Sequence, residues 1–412
     1  MTKTSEQEII DSISDKKEHI VLFVPDVLKK HIDNQYFTYK NQKLKSVYLL
    51  DIVHVFMVKY HFQDKEQVGL DSGILRKKYG CYYNFFIEYL LEQGTIIKIR
   101  DYLPGVRCKK YRLNINIMTS KYFQYKSYDK ILLKKKYEYE ETLLDEKSSP
   151  IPADIRAMLI EDLQHIELDY KGSKDKLDLL HNMGKLDDVK YKKNLAIVET
   201  TSQGNLFYSF DKFGRMHTNF TTLKKELRQN FIKIDGQHVA ELDIQNSQPT
   251  FLIGILKDYL DQIDEKEYQK YVRFCIDGTL YDQLVRASGN TITRKRAKNI
   301  IFTVLFGDTT CNNKFFRALF PNIYNFIIKY KKQHKNYKVL AHELQRRESD
   351  LIFNKIIRNI KDLYPGIKVF TVHDSIIYPI YFKQYVDKIF KEHLETYYKS
   401  VTSQGLLFPL EQ

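Results

Sequence analysis

The sequence has no tryptophan, few cysteines and no long uninterrupted apolar run. The longest apolar run, at residues 48–58, contains Asp51 and His54 and is too short to cross a bilayer. No apolar signal segment precedes it. The four cysteines show no CxxC spacing, so neither a zinc site nor a disulfide framework is indicated: Cys81, Cys108, Cys275 and Cys311. We therefore expect a soluble, cytoplasmic protein with reduced thiols and no membrane partner.

Basic and aromatic residues are abundant instead. Lys and Arg number 66 against 52 Asp and Glu, which gives a net charge of +14. Such a balance favours a polyanionic partner, and the 31 Tyr and 25 Phe suit stacking on nucleobases. An AT-rich coding bias would inflate the same residue types. The 412 residues allow two or three domains.

The first third of the chain is predicted to contain three helices followed by a basic hairpin. We predict helices over 48–60, 73–79 (capped by Ser72) and 82–93, then strands over 95–100 and 109–113 around a Pro-Gly turn. This order, over about 46–115 within an N-terminal region 1–118, resembles the winged-helix fold, which implies DNA binding. Six cations are candidates for phosphate contact: Arg76, Lys77, Lys78, Arg107, Lys109 and Lys110. Protein contacts alone are the alternative. Residues 119–204 are predicted to form a helical connector that could act as a thumb.

Two aspartates stand at the ends of strand-like runs in the C-terminal half. Asp243 closes the run 239–244, shortly before a helix that is predicted to begin near Pro249. Asp374 follows His373 in the turn of a hairpin predicted over 367–378. An ordinary two-residue hairpin would carry Asn-Gly there, so the His-Asp pair indicates function. Two such carboxylates can bind Mg²⁺ together with substrate phosphates, and two metal ions can promote phosphoryl transfer.

A helix predicted over 294–306 places two cations and two rings on one face. Arg294, Lys298, Phe302 and Phe306 lie four residues apart, so the face drifts only about 40° per step. Cations suit a triphosphate, and rings suit a base or sugar. An amphipathic core helix is the alternative interpretation of this segment alone.

These stretches together resemble motifs A, B and C of the family A DNA polymerases and of their relatives, the single-subunit phage-type RNA polymerases. Asp243 matches the motif A aspartate, and His373-Asp374 matches motif C. Motif B is matched by the helix just described, with Phe306 where the family has Tyr. Asp211, Gly214 and Arg215 match an Asp-x-x-Gly-Arg element of the group. The resemblance implies an α+β fold over 205–412, with a right-hand palm of antiparallel strands and helical fingers, and without an exonuclease domain.

The resemblance also implies a role for each matched residue. Asp243 and Asp374 would ligate two Mg²⁺ ions, for which Mn²⁺ could substitute, with help from the Ile244 carbonyl. Lys298 and Arg294 would bind the triphosphate, and Lys298 could protonate the pyrophosphate. The remaining assignments are nucleotide contact by Phe302 and Phe306, sugar selection by Gln248, and positioning of primer or template by Arg215, His373 and Gln345. The implied partners are nucleoside triphosphates and a DNA primer–template or DNA–RNA hybrid.

Departures from the family pattern leave alternatives open. Gln248 stands where the DNA polymerases of the family carry Glu and the RNA polymerases carry Gly. Because Gln is still bulky, we expect a preference for deoxynucleotides, whereas Ser375 is more similar to the RNA polymerases. The preferred interpretation is a compact DNA polymerase. The alternatives are an RNA polymerase or primase of the same architecture and a non-enzymatic, DNA-binding replication initiator, and an RNA template stays open.

Overall fold

The described part of the chain forms two compact units. The structure, a computed structural model, describes residues 19–63, 66–103, 108–118, 121–135, 138, 149–310 and 313–402. The first unit takes in the described residues of 1–145, 160–209 and 217–239, and the second unit those of 146–159, 210–216 and 240–412. The domain boundaries predicted at 118 and 204 stay a prediction. In the described ranges, no helix has the length and apolarity needed to cross a membrane.

The N-terminal third alternates short strands with helices. Its elements are β1 (Ile20–Pro25), β2 (Tyr36–Tyr39), β3 (Gln42–Lys45), α1 (Ser46–Gln63), β4 (Val68–Leu70), α2 (Ser72–Tyr79), α3 (Tyr83–Glu92), β5 (Ile96–Arg100), β6 (Lys109–Leu113), α4 (Ile115–Met118) and β7 (Tyr122–Ser127). Strand β1 pairs with β7, β2 pairs with β3, and the third sheet has the order β4-β6-β5.

The three helices and the basic hairpin predicted in this region are confirmed. Strands β5 and β6 pair antiparallel, as a hairpin requires. The predicted helix cap is wrong by one residue: α2 begins at Ser72, and the Asp71 carboxylate accepts the Ile74 N–H at 3.0 Å. Aspartate caps well because its short side chain reaches an unpaired N–H of the first turn. The predicted Pro104-Gly105 turn and Arg107 lie outside the described residues.

The middle of the chain supplies three strands of the largest sheet. Its elements are α5 (Ala153–Leu163), β8 (Ile166–Leu168), α6 (Tyr170–Asn182), α7 (Asp188–Ser202), β9 (Tyr208–Phe210), β10 (Met216–Thr218), α8 (Lys225–Phe231), β11 (Ile232–Ile234) and β12 (Gln237–Leu242). Asp235 and Gly236 join β11 to β12, both at positive φ (48° and 75°), which matches the twist of a two-residue hairpin.

The C-terminal part is mostly helical. It contains α9 (Ser247–Lys257), α10 (Glu265–Ile276), α11 (Leu280–Ala287), α12 (Arg294–Phe306), α13 (Lys314–Leu319), α14 (Pro321–Gln333), α15 (Val339–Ser349), a π-helix (Asp350–Ile357), α16 (Arg358–Leu363), β13 (Phe370–Val372), β14 (Ser375–Pro379) and α17 (Lys383–Val401). An antiparallel five-stranded sheet of order β13-β14-β12-β11-β8 curls into a half-barrel. The α+β class is thus confirmed.

Helix α12 has the bounds that the sequence predicts and does not bury the face of cations and rings. A different face of α12 packs into the core, and its buried residues are Ala297, Ile300, Ile301, Val304 and Leu305. Arg294 and Lys298 are exposed, and the two Phe rings are half-buried. The helix is therefore amphipathic, and the face of cations and rings stays at least partly exposed.

A buried lysine holds the C-terminal end of this helix. The Lys331 ammonium, on α14, donates to the carbonyl oxygens of Val304 and Gly307 at 2.7 Å each. The side chain is 1% exposed. Carbonyls of a last helical turn lack intrahelical partners and carry partial negative charge, so a cation there is favourable. Lys331 thereby fixes the turn that carries Phe306.

Candidate active site

Two carboxylates lie at the ends of neighbouring strands in the second unit. Asp243 directly follows β12, and Asp374 lies in the two-residue turn between β13 and β14. Strands β12 and β14 are adjacent in the sheet. The hydroxyl of Ser375 lies 3.0 Å from the Glu241 carboxylate, which ties the first residue of β14 to β12. The sheet therefore brings Asp243 and Asp374 to one place.

The turn itself departs from ordinary hairpin chemistry. His373 has a φ of 57°, in the left-handed region that glycine and asparagine prefer. Its side chain is exposed. A non-glycine residue in that region costs free energy, and such residues concentrate at functional sites. The hairpin predicted from the sequence is confirmed. Its turn contains His373 in a conformation that costs free energy.

Negative charge accumulates around Asp374. Burial, followed by the charges of Glu348 and Asp243, raises the pKa of the Asp374 carboxyl to about 6, while Arg215 acts in the opposite direction. The carboxylates therefore lie close enough to repel one another. A cation bound between them would relieve that repulsion.

The donor set fits a magnesium ion that arrives with a nucleotide. In the described ranges, no group of three or more His, Cys, Asp and Glu side chains could hold a metal by itself. Mg²⁺, however, commonly uses one or two carboxylates and completes its shell with water and phosphate oxygens. Asp243 and Asp374 can supply the carboxylates. The Ile244 carbonyl accepts the Ser247 N–H at 3.2 Å and keeps a second lone pair.

Helix α12 is connected to these carboxylates through Tyr281, on α11. The Arg294 guanidinium lies 5.3 Å from the Tyr281 ring centroid and 3.2 Å from the Asp282 carboxylate. Burial and then Cys275 raise the pKa of Tyr281 to about 12, with a lowering effect from Arg294 and a raising effect from Asp374. Arg294 therefore packs against the Tyr281 ring, and the Asp374 charge acts on the same phenol.

The other three residues of the predicted face contact one another. The Lys298 ammonium lies 5.7 Å from the Phe302 ring centroid, and the Phe302 and Phe306 centroids are 5.3 Å apart. Cation and rings form one continuous surface that solvent can reach. Such a surface can contact a phosphate at one end and a planar base at the other.

The loop 211–215 is folded by its own aspartate. One Asp211 carboxylate oxygen accepts the N–H groups of Phe213 and Arg215, both at 2.9 Å. The Phe213 ring stacks on His342 of α15, with centroids 3.9 Å apart. Gly214 adopts a φ of 90°, and its carbonyl accepts the Ser349 hydroxyl at 2.8 Å. The loop is therefore docked on α15 with Arg215 fixed at its end.

Glu348, which belongs to none of the motifs predicted from the sequence, joins three of the site's elements. Its carboxylate accepts hydrogen bonds from Arg215 at 2.9 Å and from Ser247 and Gln248 at 2.5 Å each. Glu348 is 2% exposed. A signal was present, since Leu340, Leu344 and Glu348 recur every four residues and place this carboxylate on the apolar face of α15. A buried carboxylate requires partners, and Gln248 and Arg215 are among them.

Gln345 can be placed relative to the site only by its position on α15. It is half-buried on α15, three residues before Glu348. That spacing puts it on the neighbouring part of the same helix face.

No protein-family model matches the chain, and no curated protein matches it significantly. The assignment of a function therefore depends on the residues of the site.

Proposed function

We propose that the protein is a template-directed nucleotidyltransferase, and that it acts as a compact DNA polymerase of the palm-and-fingers type. The observation that carries the proposal is the pair Asp243 and Asp374, which stand at the ends of neighbouring strands of one sheet. Paired carboxylates beside a row of cations and rings are what transfer of a nucleotide from a triphosphate requires.

Each group has a defined task in this proposal. Asp243 and Asp374 would hold Mg²⁺ ions, which would supply charge stabilisation for the attacking hydroxyl and the leaving pyrophosphate. Arg294 and Lys298 bind the triphosphate and offset its charge. Phe302 and Phe306 contact the sugar and base. Because Lys298 is exposed and carries three N–H donors, it can also deliver a proton to the departing pyrophosphate.

The first unit would supply duplex binding. Sheet β4-β6-β5 with helices α1 to α3 has the element order of a winged helix. Arg76 and Lys77 are exposed on α2, as phosphate contacts would need. Lys78 is less suited to that role, because its ammonium pairs with the buried Asp51 carboxylate at 2.6 Å. The bulky exposed Tyr82, 49% accessible, favours contacts to the DNA backbone over reading of bases.

A primer-extension assay tests the proposed function. Wild-type protein with Mg²⁺, a primed DNA template and either dNTPs or rNTPs is expected to extend the primer, with higher kcat/KM for dNTPs. Extension with rNTPs only, or synthesis without a primer, would favour the RNA polymerase or primase. An RNA template forms a separate arm. If no template, nucleotide or metal (Mg²⁺ or Mn²⁺) gives incorporation, the proposal is wrong and a non-enzymatic DNA-binding role remains.

Lys298→Ala should weaken nucleotide use, because it removes a cation from the triphosphate-binding face. We expect kcat/KM for the dNTP to fall by about 10²-fold, equivalent to roughly 3 kcal/mol of transition-state stabilisation. Steady-state single-nucleotide incorporation measures this. Arg296→Ala is the matched control: Arg296 is exposed on the same helix and points about 200° away from Lys298. Equal losses in both variants would show that only the overall charge of the helix matters.

A further inference from the structure

Gln248 and Arg215 meet on a single buried carboxylate. Both lie in the segments to which sugar selection and primer or template contact are assigned. Gln248 is 5% exposed and its amide nitrogen lies 2.5 Å from Glu348. Arg215 approaches the other carboxylate oxygen of Glu348 at 2.9 Å. One carboxylate of α15 therefore accepts hydrogen bonds from both side chains.

The orientation of the Gln248 amide follows from this contact. An ionised carboxylate can only accept hydrogen bonds, so the amide group that faces Glu348 has to be the NH₂. The Gln248 carbonyl oxygen is then directed away from Glu348, and it is buried without a hydrogen-bond partner in the described part of the chain. Gln248 consequently has no freedom to rotate its amide without losing its contact with Glu348.

The same contact explains why residue 248 is an amide. A glutamate at 248 would bring two buried carboxylates to within hydrogen-bond distance, and like charges so placed cannot both ionise. Glutamine has nearly the same size and donates where glutamate could not. Glutamine at position 248, where the family usually has Glu, is therefore compatible with the Glu348 carboxylate, whereas a second carboxylate would not be.

Glu348 is also distinct from the two carboxylates assigned to metal binding. Arg215, Ser247 and Gln248 together donate to both of its oxygens. Asp243 and Asp374 stand instead at the ends of strands β12 and β13, and the Glu348 charge acts on Asp374 from α15. The three carboxylates therefore have different tasks.

We propose that Glu348 is a positioning residue for sugar selection: it fixes the amide of Gln248, the residue to which sugar selection is assigned, and anchors Arg215 on the same carboxylate. This inference rests on the proposed function. Loss of the Glu348 charge should loosen Gln248 and also remove one repulsion from Asp374, so the informative quantity is the ratio between dNTPs and rNTPs rather than incorporation alone. The expected consequence is loss of discrimination between dNTPs and rNTPs, with a smaller effect on dNTP incorporation itself.

The test is an exchange of the two side chains. In Glu348→Gln, the ratio of kcat/KM for dATP to that for ATP on a primed DNA template is expected to fall about tenfold, within the range of coupling between hydrogen-bonded neighbours. Gln248→Glu should lower both the melting temperature and dNTP incorporation, because it opposes two carboxylates. The double variant Gln248→Glu/Glu348→Gln restores a donor and an acceptor with the roles reversed. It should recover most of the melting temperature and of the sugar discrimination lost in the single variants.

Glu343→Gln is the matched control. Glu343 lies on the same helix and accepts a hydrogen bond from Arg347 at 3.1 Å, outside the Glu348 cluster. Its replacement should leave the sugar ratio unchanged. An unchanged ratio in Glu348→Gln, or a double variant no better than Gln248→Glu, overturns the inference. Wild-type protein without incorporation overturns the proposed function and the role in sugar selection together, while the melting temperatures of the four proteins still report whether residues 248 and 348 are coupled.

Discussion

Asp374→Ala is expected to abolish nucleotide incorporation and to leave DNA affinity nearly unchanged. Asp374 supplies one of the two carboxylates assigned to Mg²⁺, and the reaction depends on metal ions to offset charge on the phosphates. We expect a loss of at least about 10³-fold in kcat, equivalent to roughly 4 kcal/mol. Single-nucleotide incorporation measures the loss, and fluorescence anisotropy of a labelled primer–template measures binding.

The stability of this variant separates loss of chemistry from loss of fold. Burial and neighbouring carboxylates raise the pKa of Asp374 to about 6, so its charged form opposes folding at neutral pH. Removal of the carboxylate should therefore not lower the melting temperature. Asp261→Ala is the control, since Asp261 is an exposed carboxylate of the same unit. Incorporation by Asp374→Ala within about tenfold of wild type would contradict the metal assignment, because tenfold is only about 1.4 kcal/mol.

Gly214→Ala should strongly destabilise the second unit. A Cβ atom at this position would lie 2.0 Å from the Ser349 hydroxyl oxygen and 3.0 Å from the Pro150 ring. The φ of 90° adds strain for any residue with a side chain. Strain and overpacking each cost about 1–3 kcal/mol, so we expect a loss of roughly 3 kcal/mol or more in the free energy of unfolding.

Urea unfolding followed by far-UV circular dichroism measures this loss, since the chain has no tryptophan for fluorescence. Gly289→Ala isolates the strain: Gly289 has a φ of 67° with no atom within 4 Å of the added Cβ. It should cost clearly less than Gly214→Ala. If both cost the same, the close approach to Ser349 does not limit the position. Gly214→Ala should also displace Arg215 from Glu348, so incorporation would fall along with stability.

Local sequence signals predicted individual elements well. Helix α12 has the predicted bounds because Thr293 caps its first turn through the Arg296 N–H and its apolar residues recur with helical spacing. The β13–β14 hairpin and the β5–β6 hairpin follow from runs of β-formers on either side of a turn. Each of these signals lies within a few residues along the chain, so no long-range contact is needed to read it.

The contacts that assemble the site could not be read in this way. Glu348 lies 133 residues from Arg215 along the chain and 100 from Gln248, and nothing local shows that they meet. The spacing of Leu340, Leu344 and Glu348 can indicate that Glu348 is buried, but it does not indicate which residues the carboxylate contacts. Nothing local to Tyr281 shows either that its ring meets the Arg294 guanidinium.

The candidate catalytic groups, two strand-end aspartates and one face of a helix, can be found from residue spacing along single elements. How those groups are held depends on contacts between elements. The tertiary structure made Glu348 the shared partner of Arg215, Ser247 and Gln248, and it required Gly214 where the loop 211–215 approaches Ser349 too closely for a side chain. The physical reason is that burial and close approach are properties of elements packed together, so they leave no periodic pattern in any one of them.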